Sequence, residues 1–232
     1  MSSRTKKRVA IFDIDGTIFR SSLLIELVEA LIQEGIFPAG FWKKYEREYK
    51  EWLNRQGSYE KYILALVLAF NENIKGVRHV DFTRVGRRVI AFHQNRVYGY
   101  TRDLIKQLKA KKYYLLAVSH SPMEIVQDFA RGMGFNKVYG RIYEIGKGRR
   151  FTGARPYDHL IDDKGKILLR VAEKENLTLR GSVGVGDTES DVAFLKMVDR
   201  PICFNPNEKL YKRAKRRGWN IVVERKDVVY HL

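Results

Sequence analysis

Short apolar runs that alternate with helical segments constrain the fold of this chain more than any other feature of its sequence. The runs lie at residues 9–12, 113–118, 182–186, 201–204 and 220–223. Each of the first four runs is followed by a segment whose apolar residues recur at helical spacing. This alternation predicts an α/β fold: a mostly parallel sheet with helices on both faces.

One long segment interrupts the alternation. Residues 20–98 show helical spacing and no strand-like pattern, so we predict a core domain formed by residues 1–19 and 99–232, with residues 20–98 inserted as a helical module. The inserted segment carries an aromatic stripe at helical spacing: Phe41, Trp42, Tyr45, Tyr49 and Trp52. Such a stripe either lines a substrate pocket or packs helices together, and we favour packing.

The composition is that of a globular protein, with 44% hydrophobic and 31% charged residues among 232 positions. No uncharged apolar run is long enough for a transmembrane helix. The apolar stretch behind the basic N-terminus is broken by Asp13 and Asp15, which an export signal would not tolerate, so we expect a cytoplasmic protein. Cys203 is the only cysteine, which excludes an internal disulfide.

The formal net charge of +17 favours anionic partners such as phosphorylated substrates, nucleic acid or an acidic membrane surface. Part of this charge comes from a basic run on a late predicted helix: Lys209, Lys212, Arg213, Lys215, Arg216 and Arg217. A run of this kind either contacts nucleic-acid phosphates or forms a solvated helix face, and we favour the solvated face.

Three of the predicted strands are followed by polar residues that are able to do chemistry: Asp13, Ser119 and Asp187. In open α/β sheets, ligands bind beyond the carboxyl ends of the strands, so these side chains should converge on one site. Asp13 and Asp15 place a nucleophile and a general acid/base two residues apart. A carboxylate that attacks phosphorus needs its charge offset, and magnesium held by Asp13 and Asp187 would do this.

Four motifs, in order, resemble those of the haloacid dehalogenase-like (HAD) hydrolase superfamily over about residues 9–223. They are Asp-Ile-Asp-Gly-Thr from Asp13, Ser119 after Leu-Leu-Ala-Val, Lys164 before Gly-Lys-Ile-Leu, and Gly-Asp-Thr-Glu-Ser-Asp ending at Asp191. Within the superfamily, the chain is most similar to the branch that contains phosphoserine phosphatase. That resemblance implies a Rossmann-like core, a helical cap inserted after the first motif, and a magnesium-dependent phosphatase.

The resemblance also implies a role for each matching residue. Four would be catalytic: Asp13 as nucleophile, Asp15 as acid/base, Ser119 as phosphate-binding hydroxyl, and Lys164 as the cation that neutralises the phosphoryl group. Gly16, Thr17 and His120 would join Ser119 and Lys164 in binding substrate or phosphate. The metal would be held by Asp13, the backbone carbonyl of Asp15, Asp187 and Asp191, with Asp191 supporting either the metal shell or Lys164. Lys166 competes with Lys164, and the spacing to Ile167 favours Lys164.

The chain departs from phosphoserine phosphatases at Gly16, where those enzymes often have serine, and at the position that recognises the substrate amine. Those enzymes carry a glutamate, several residues after the nucleophile, that recognises the substrate amine. The corresponding position here falls near Ser22, and Glu26 lies a helical turn further on. We therefore expect phosphoserine to be a poor substrate. Arg20 is either a substitute specificity residue or a surface charge.

We predict that the chain hydrolyses a small phosphate monoester through an aspartyl-phosphate. One alternative within the same chemistry is phosphoryl transfer to another alcohol. The alternative from another class is a nucleic-acid-binding protein on a hydrolase-like scaffold, for which the net charge of +17 is the supporting feature.

Overall fold

The computed structural model describes residues 6–232. Its strands form one seven-stranded sheet in the order β3-β2-β1-β4-β5-β6-β7. The strands are β1 (Lys7–Phe12), β2 (Tyr114–Pro122), β3 (Lys137–Arg141), β4 (Leu177–Gly186), β5 (Arg200–Phe204), β6 (Asn220–Arg225) and β7 (Val228–His231). Every neighbouring pair is parallel except β6 and β7. The predicted mostly parallel α/β fold is therefore confirmed.

Burial explains why β1 is an interior strand of the sheet. Val9, Ala10, Ile11 and Phe12 are fully buried, as expected for a strand covered on both faces. The strand pairs with β2 on one side and with β4 on the other, and its register with β4 shifts between Arg8 and Ala10. Asp13, which follows β1 directly, is thereby held between the ends of two neighbouring strands.

Two strands were not identified individually from the sequence, and both lie at sheet edges. β3 is only partly buried along its first three residues, and all four residues of β7 are exposed. Edge strands of this kind do not carry the continuous apolar run that identifies a central strand.

The described chain divides into two compact units. The first, here called the core unit, comprises the residues up to Ser22, Gln94–Arg141 and Tyr157–Leu232. Besides the sheet, it contains α5 (Gly99–Ala110), α6 (Met123–Met133), α7 (Asp158–Ile161), α8 (Lys164–Lys174), α9 (Val192–Leu195) and α10 (Glu208–Arg217). Helices α8 and α9 pack against β4, and α6 packs against β2 and β3.

The second, here called the helical unit, comprises Leu23–His93 and Ile142–Pro156. Its helices are α1 (Leu23–Gln33), α2 (Glu46–Leu53), α3 (Tyr59–Asn73) and α4 (His79–His93), with a 3₁₀ turn at Ala39–Lys44. Within the aromatic stripe, Phe41 is buried and stacks on Phe37, while Trp52 stacks on Tyr62. These rings join the helices of the unit to one another.

The sequence placed residues 142–156 in the core domain, and here the structure differs. Phe151 accepts a backbone hydrogen bond from Gly76 and donates one to Val77, at 2.8 and 2.9 Å. Its buried ring packs edge-on against Phe82, with centroids 5.0 Å apart. The segment therefore belongs to the helical unit. Its contacts are with residues about 70 positions away in sequence, which local periodicity does not reveal.

Among the described residues, no helix combines the length and the apolar character needed to cross a membrane.

Candidate active site

Three neighbouring strands bring the polar residues of the first, second and fourth motifs to one edge of the sheet. Asp13 follows β1 and Asp187 follows β4, while Ser119 lies where the register between β2 and β3 shifts. The backbone N–H of Asp13 donates to the carbonyl of Val185 at 2.9 Å, which ties the first motif to β4. The site thus lies at the carboxyl ends of parallel strands, where α/β proteins bind ligands.

Lys164 is the buried cation of this site. Its Nζ donates to Oδ1 of Asp13 at 2.5 Å and to Oδ1 of Asp191 at 2.7 Å. Burial alone would lower the pKa of Lys164, but the two carboxylates outweigh that effect and raise it above its usual value. The ammonium group therefore stays charged. Lys166, the alternative considered from the sequence, is exposed and pairs with Asp163 instead.

Asp13 and Asp187 are carboxylates whose negative charge is only partly compensated. Burial raises the pKa of Asp13 to about 8, against the opposing effect of Lys164. Burial, followed by the charges of Asp13 and Asp191, raises the pKa of Asp187 as well. The second oxygen of Asp13, Oδ2, is buried and has no hydrogen-bond partner among the described residues. An arrangement of this kind favours binding of a cation.

Three carboxylates are close enough to share a metal ion. Asp13, Asp187 and Asp191 each offer an oxygen, and these oxygens lie within 4.8 Å of one another. Asp191 already uses both of its oxygens, because Oδ1 accepts from Lys164 and Oδ2 accepts from the backbone N–H groups of Asp187 and Thr188. Asp13 and Asp187 are thus the better placed of the three to bind magnesium, which prefers oxygen ligands and needs few carboxylates.

Asp15 is held by two serine hydroxyls. Ser119 Oγ donates to Oδ2 of Asp15 at 2.5 Å, and Ser121 Oγ donates to the same oxygen at 3.0 Å. The backbone N–H of Ser121 also donates to Ser119 Oγ at 2.9 Å. We did not identify Ser121 from the sequence, although the Ser-His-Ser pattern after β2 contains the repeated hydroxyl that would have indicated it.

Gly16 and Thr17 shape the loop around Asp187. Gly16 has a φ of +79°, and a Cβ at this position would overlap the Asp187 carboxylate, so only glycine fits. Thr17 Oγ1 donates to Oδ1 of Asp187 at 3.2 Å, while its carbonyl accepts from Thr101 Oγ1 at 3.0 Å. The Thr17 hydroxyl, expected from the resemblance to bind phosphate, is therefore engaged with a candidate metal ligand.

His120 lies between Ser119 and Ser121 in β2, and its side chain is partly buried. Its imidazole hydrogen-bonds the backbone of Ile161. Burial, together with the charges of Lys164 and Arg141, lowers the pKa of His120 to about 3, so the ring is neutral. The substrate-binding role expected from the resemblance stays a prediction.

The remaining specificity candidates lie in separate environments. Ser22 is buried in the core unit, and the guanidinium of Arg20 lies 5.6 Å from the centre of the Tyr98 ring. In the helical unit, Glu26 is 9% exposed and one of its oxygens lies 3.2 Å from Nε2 of His93. The Glu26 carboxylate thus already has a partner within its own unit.

The basic residues of α10 form an exposed, partly neutralised helix face. Lys209 pairs with Glu189 and Lys212 pairs with Glu208. Arg217 stacks over Trp219 at 5.5 Å. Pairing and stacking of this kind are typical of a solvated helix face.

Comparisons with known proteins identify the family. A model of the haloacid dehalogenase-like hydrolases matches residues 10–196. A phosphoserine phosphatase of Mycobacterium tuberculosis is 24% identical over 222 residues, covering 91% of this chain and 69% of that protein. A histidinol-phosphatase of Neisseria meningitidis is 24% identical over 225 residues, covering 93% of this chain and 98% of that protein.

Solved structures share the fold. A phosphoserine phosphatase determined as an analogue of its phospho-aspartyl intermediate has a TM-score of 0.65 and 22% identity, with 96% of each chain covered. A protein of unknown function from Bordetella pertussis has a TM-score of 0.72 and 19% identity, with 94% of this chain and 98% of that chain covered. The resemblance predicted from four motifs is thus confirmed: this chain is an enzyme of the haloacid dehalogenase-like hydrolase family.

Proposed function

We propose that this enzyme is a magnesium-dependent phosphatase that hydrolyses a small phosphate monoester through a phosphorylated Asp13. One observation carries the proposal. Asp13 is buried at the end of the interior strand β1, with one oxygen held by Lys164 and the other without a hydrogen-bond partner in the described chain. A carboxylate placed in this way is oriented for attack, and its charge is offset on one side.

The first half of the proposed reaction transfers the phosphoryl group to the enzyme. A carboxylate oxygen of Asp13 attacks phosphorus, and the bond between phosphorus and the leaving oxygen breaks. Asp15 donates its proton to that oxygen, so that the alcohol leaves neutral. Ser119 and Ser121 fix the Asp15 carboxyl group in place for this transfer.

The second half regenerates the enzyme. Asp15, now a carboxylate, accepts a proton from water as the water oxygen attacks the phosphorus of the aspartyl-phosphate. The bond between phosphorus and Asp13 breaks, inorganic phosphate leaves, and Asp13 is again a carboxylate. Lys164 offsets negative charge throughout, because its ammonium group stays protonated between Asp13 and Asp191.

The donor set fits magnesium. Asp13, Asp187 and the backbone carbonyl of Asp15 would hold the ion, while Asp191 would support Lys164 and the backbone that follows β4. When bound, magnesium would neutralise charge as the anionic nucleophile and the anionic phosphate approach each other.

The substrate class is a small phosphate monoester. The names of two relatives, a phosphoserine phosphatase and a histidinol-phosphatase, support this class. We propose that phosphoserine itself is a poor substrate, because the position expected to carry the amine-binding glutamate falls near Ser22, which carries no charge. We also propose that the helical unit selects the substrate and that the enzyme acts in the cytoplasm.

The first test is magnesium-dependent release of phosphate from an aryl phosphate, with chelator as the control. We expect release that stops with chelator and returns when magnesium is added in excess. Rapid quenching with acid should trap one phosphoryl group on Asp13, located by peptide mass spectrometry. Phosphate release that persists with chelator, or a label on another residue, would refute the proposed mechanism. Repeating the assay with added alcohols tests for phosphoryl transfer.

A further inference from the structure

Lys164 reaches Asp13 from the first position of α8, so its placement depends on the segment immediately before that helix. This segment contains α7, a helix of only four residues, followed by Asp162 and Asp163. A single helical turn is not stable by itself in water. The segment must therefore be held by other parts of the core unit if Lys164 is to stay in place.

Arg141, the last residue of β3, holds both ends of this turn. Its Nη1 lies 2.8 Å from Oδ1 of Asp158, and its Nη2 donates to Oδ1 of Asp162 at 2.8 Å. Arg141 is only 9% exposed and the Asp158 side chain is 24% exposed, so this pair is less screened than a surface ion pair. A planar guanidinium fixes two carboxylates in a way that a lysine does not.

Two further contacts hold the same segment. The imidazole of His120 hydrogen-bonds the backbone of Ile161, between the two acids that Arg141 holds. Asp163 caps α8, because its side chain accepts from the backbone N–H groups of Gly165 and Lys166, each at 3.1 Å. A Cβ on Gly165 would lie 2.8 Å from the carbonyl oxygen of Ala193, so the start of α8 also packs closely against α9. The backbone is thus held on both sides of Lys164.

We infer that Arg141, through Asp158 and Asp162 and together with His120, is a positioning residue that sets the Lys164 ammonium group against Asp13. We call Arg141, Asp158 and Asp162 the Arg141 clamp. The inference rests on the proposed function, in which Lys164 offsets charge on the phosphoryl group. The inference also assigns His120 a different role from the one expected: it holds the backbone at Ile161 and does not contact substrate.

A competing explanation is that Arg141 binds the substrate directly. Its Nε is buried and has no hydrogen-bond partner in the described part of the chain, so one donor of Arg141 is unused. The two roles predict different kinetics. A residue that binds substrate equally in the ground and transition states changes KM, whereas misplacement of Lys164 lowers kcat.

The test compares Arg141→Met, Arg141→Lys and Asp162→Asn in magnesium-dependent hydrolysis of an aryl phosphate. The Asp162 side chain is 58% exposed, so Asp162→Asn removes one partner of the clamp with little risk to folding. We expect Arg141→Met to lower kcat about 10- to 100-fold with KM nearly unchanged, since small misplacements have effects of this size. Asp162→Asn and Arg141→Lys should cause smaller losses. A raised KM with normal kcat would overturn the inference in favour of substrate binding.

A double-mutant cycle separates positioning from a general structural effect. In a Lys164→Met background, Arg141→Met should change the residual rate less than about threefold, because the clamp acts through the residue already removed. If Arg141→Met lowered the residual rate by a further 10- to 100-fold in that background, Arg141 would act independently of Lys164 and the inference would be overturned. Arg102→Met is the control, because it removes an arginine–aspartate pair on α5 that lies outside the clamp. Its rate should match that of the wild type.

Hydrogen exchange tests the clamp without relying on catalysis. In Arg141→Met, the amides of residues 158–166 should exchange faster than in the wild type, while those of β1 and β4 stay protected. Unchanged exchange in residues 158–166 would refute the clamp, whatever the activity. If the wild type released no phosphate with magnesium, the proposed function would fail, and the exchange result would still decide whether Arg141 holds this segment.

Discussion

The Nζ atom of Lys164 lies 2.5 Å from Oδ1 of Asp13, although 151 positions separate the two residues in sequence. Both side chains are almost completely buried. Bringing charges out of water is unfavourable unless they are paired and hydrogen-bonded, and here the second partner of Lys164 is Asp191. This buried arrangement of one cation and two carboxylates is an unfavourable way to stabilise a fold, but it suits a site that handles phosphate.

Replacing the nucleophile should abolish turnover. Asp13→Asn keeps the shape of the side chain and removes the attacking charge, so kcat should fall by at least about 1,000-fold. Asp103→Asn on α5 is the matched control, because Asp103 is an exposed carboxylate paired with Arg102. Circular dichroism of both variants should match the wild type. An Asp13→Asn variant with substantial activity would require a different nucleophile.

Magnesium should stabilise the protein as well as activate it. A ligand that binds only the folded state adds about 2.7 kcal/mol at 100 times its Kd, so the melting temperature should rise with magnesium. Asp187→Asn should lose this response. In chelator the same variant should melt higher than the wild type, because burial and the charges of Asp13 and Asp191 disfavour the Asp187 carboxylate. Calorimetry with and without magnesium measures both effects, and a wild-type response in Asp187→Asn would exclude this residue as a ligand.

Without metal, Asp13 should make the protein less stable as pH rises. The pKa of Asp13 is raised by burial from 3.8 to about 8. Between these values the folded state binds more protons at this residue than the unfolded state, so the free energy of unfolding falls as pH increases. Urea denaturation in chelator from pH 5 to pH 8 should show a steeper decline for the wild type than for Asp13→Asn. Parallel pH profiles would contradict the raised pKa.

The two serines that hold Asp15 should contribute unequally. Ser119→Ala removes the hydroxyl expected to bind phosphate and should lower kcat/KM by about 100-fold, as loss of a transition-state donor does. Ser121→Ala removes one hydrogen bond to Asp15 and should cost about fivefold. Ser182→Ala is the control, because Ser182 is a buried serine of β4 whose hydroxyl accepts from the backbone of Asp199. If Ser121→Ala and Ser119→Ala lowered kcat/KM equally, both hydroxyls would be shown to bind the phosphate.

The amine of phosphoserine should not raise kcat/KM. We expect kcat/KM for phosphoserine to lie within about threefold of that for 3-phosphooxypropanoate, which has the same skeleton without the amine. A site built to hydrogen-bond that group would instead discriminate by about 10⁴. A strong preference for phosphoserine would show that another residue replaces the missing glutamate, and Arg20, Glu26 and residues of the helical unit would then be tested.

The sequence by itself determined the sheet class and most of the candidate site. Asp13, Ser119 and Asp187 were predicted because each follows an apolar run, and apolar runs report local burial directly. The order of the four motifs likewise led to the family.

Only the tertiary structure decided the contacts between these residues. It distinguished Lys164 from Lys166, since both begin the same helix but only one is directed toward Asp13. It also placed Ser121 on Asp15, His120 on the backbone of Ile161, and residues 142–156 in the helical unit. Periodicity depends on neighbours within a few positions, whereas each of these contacts joins distant segments or depends on how a side chain packs, which no local pattern encodes.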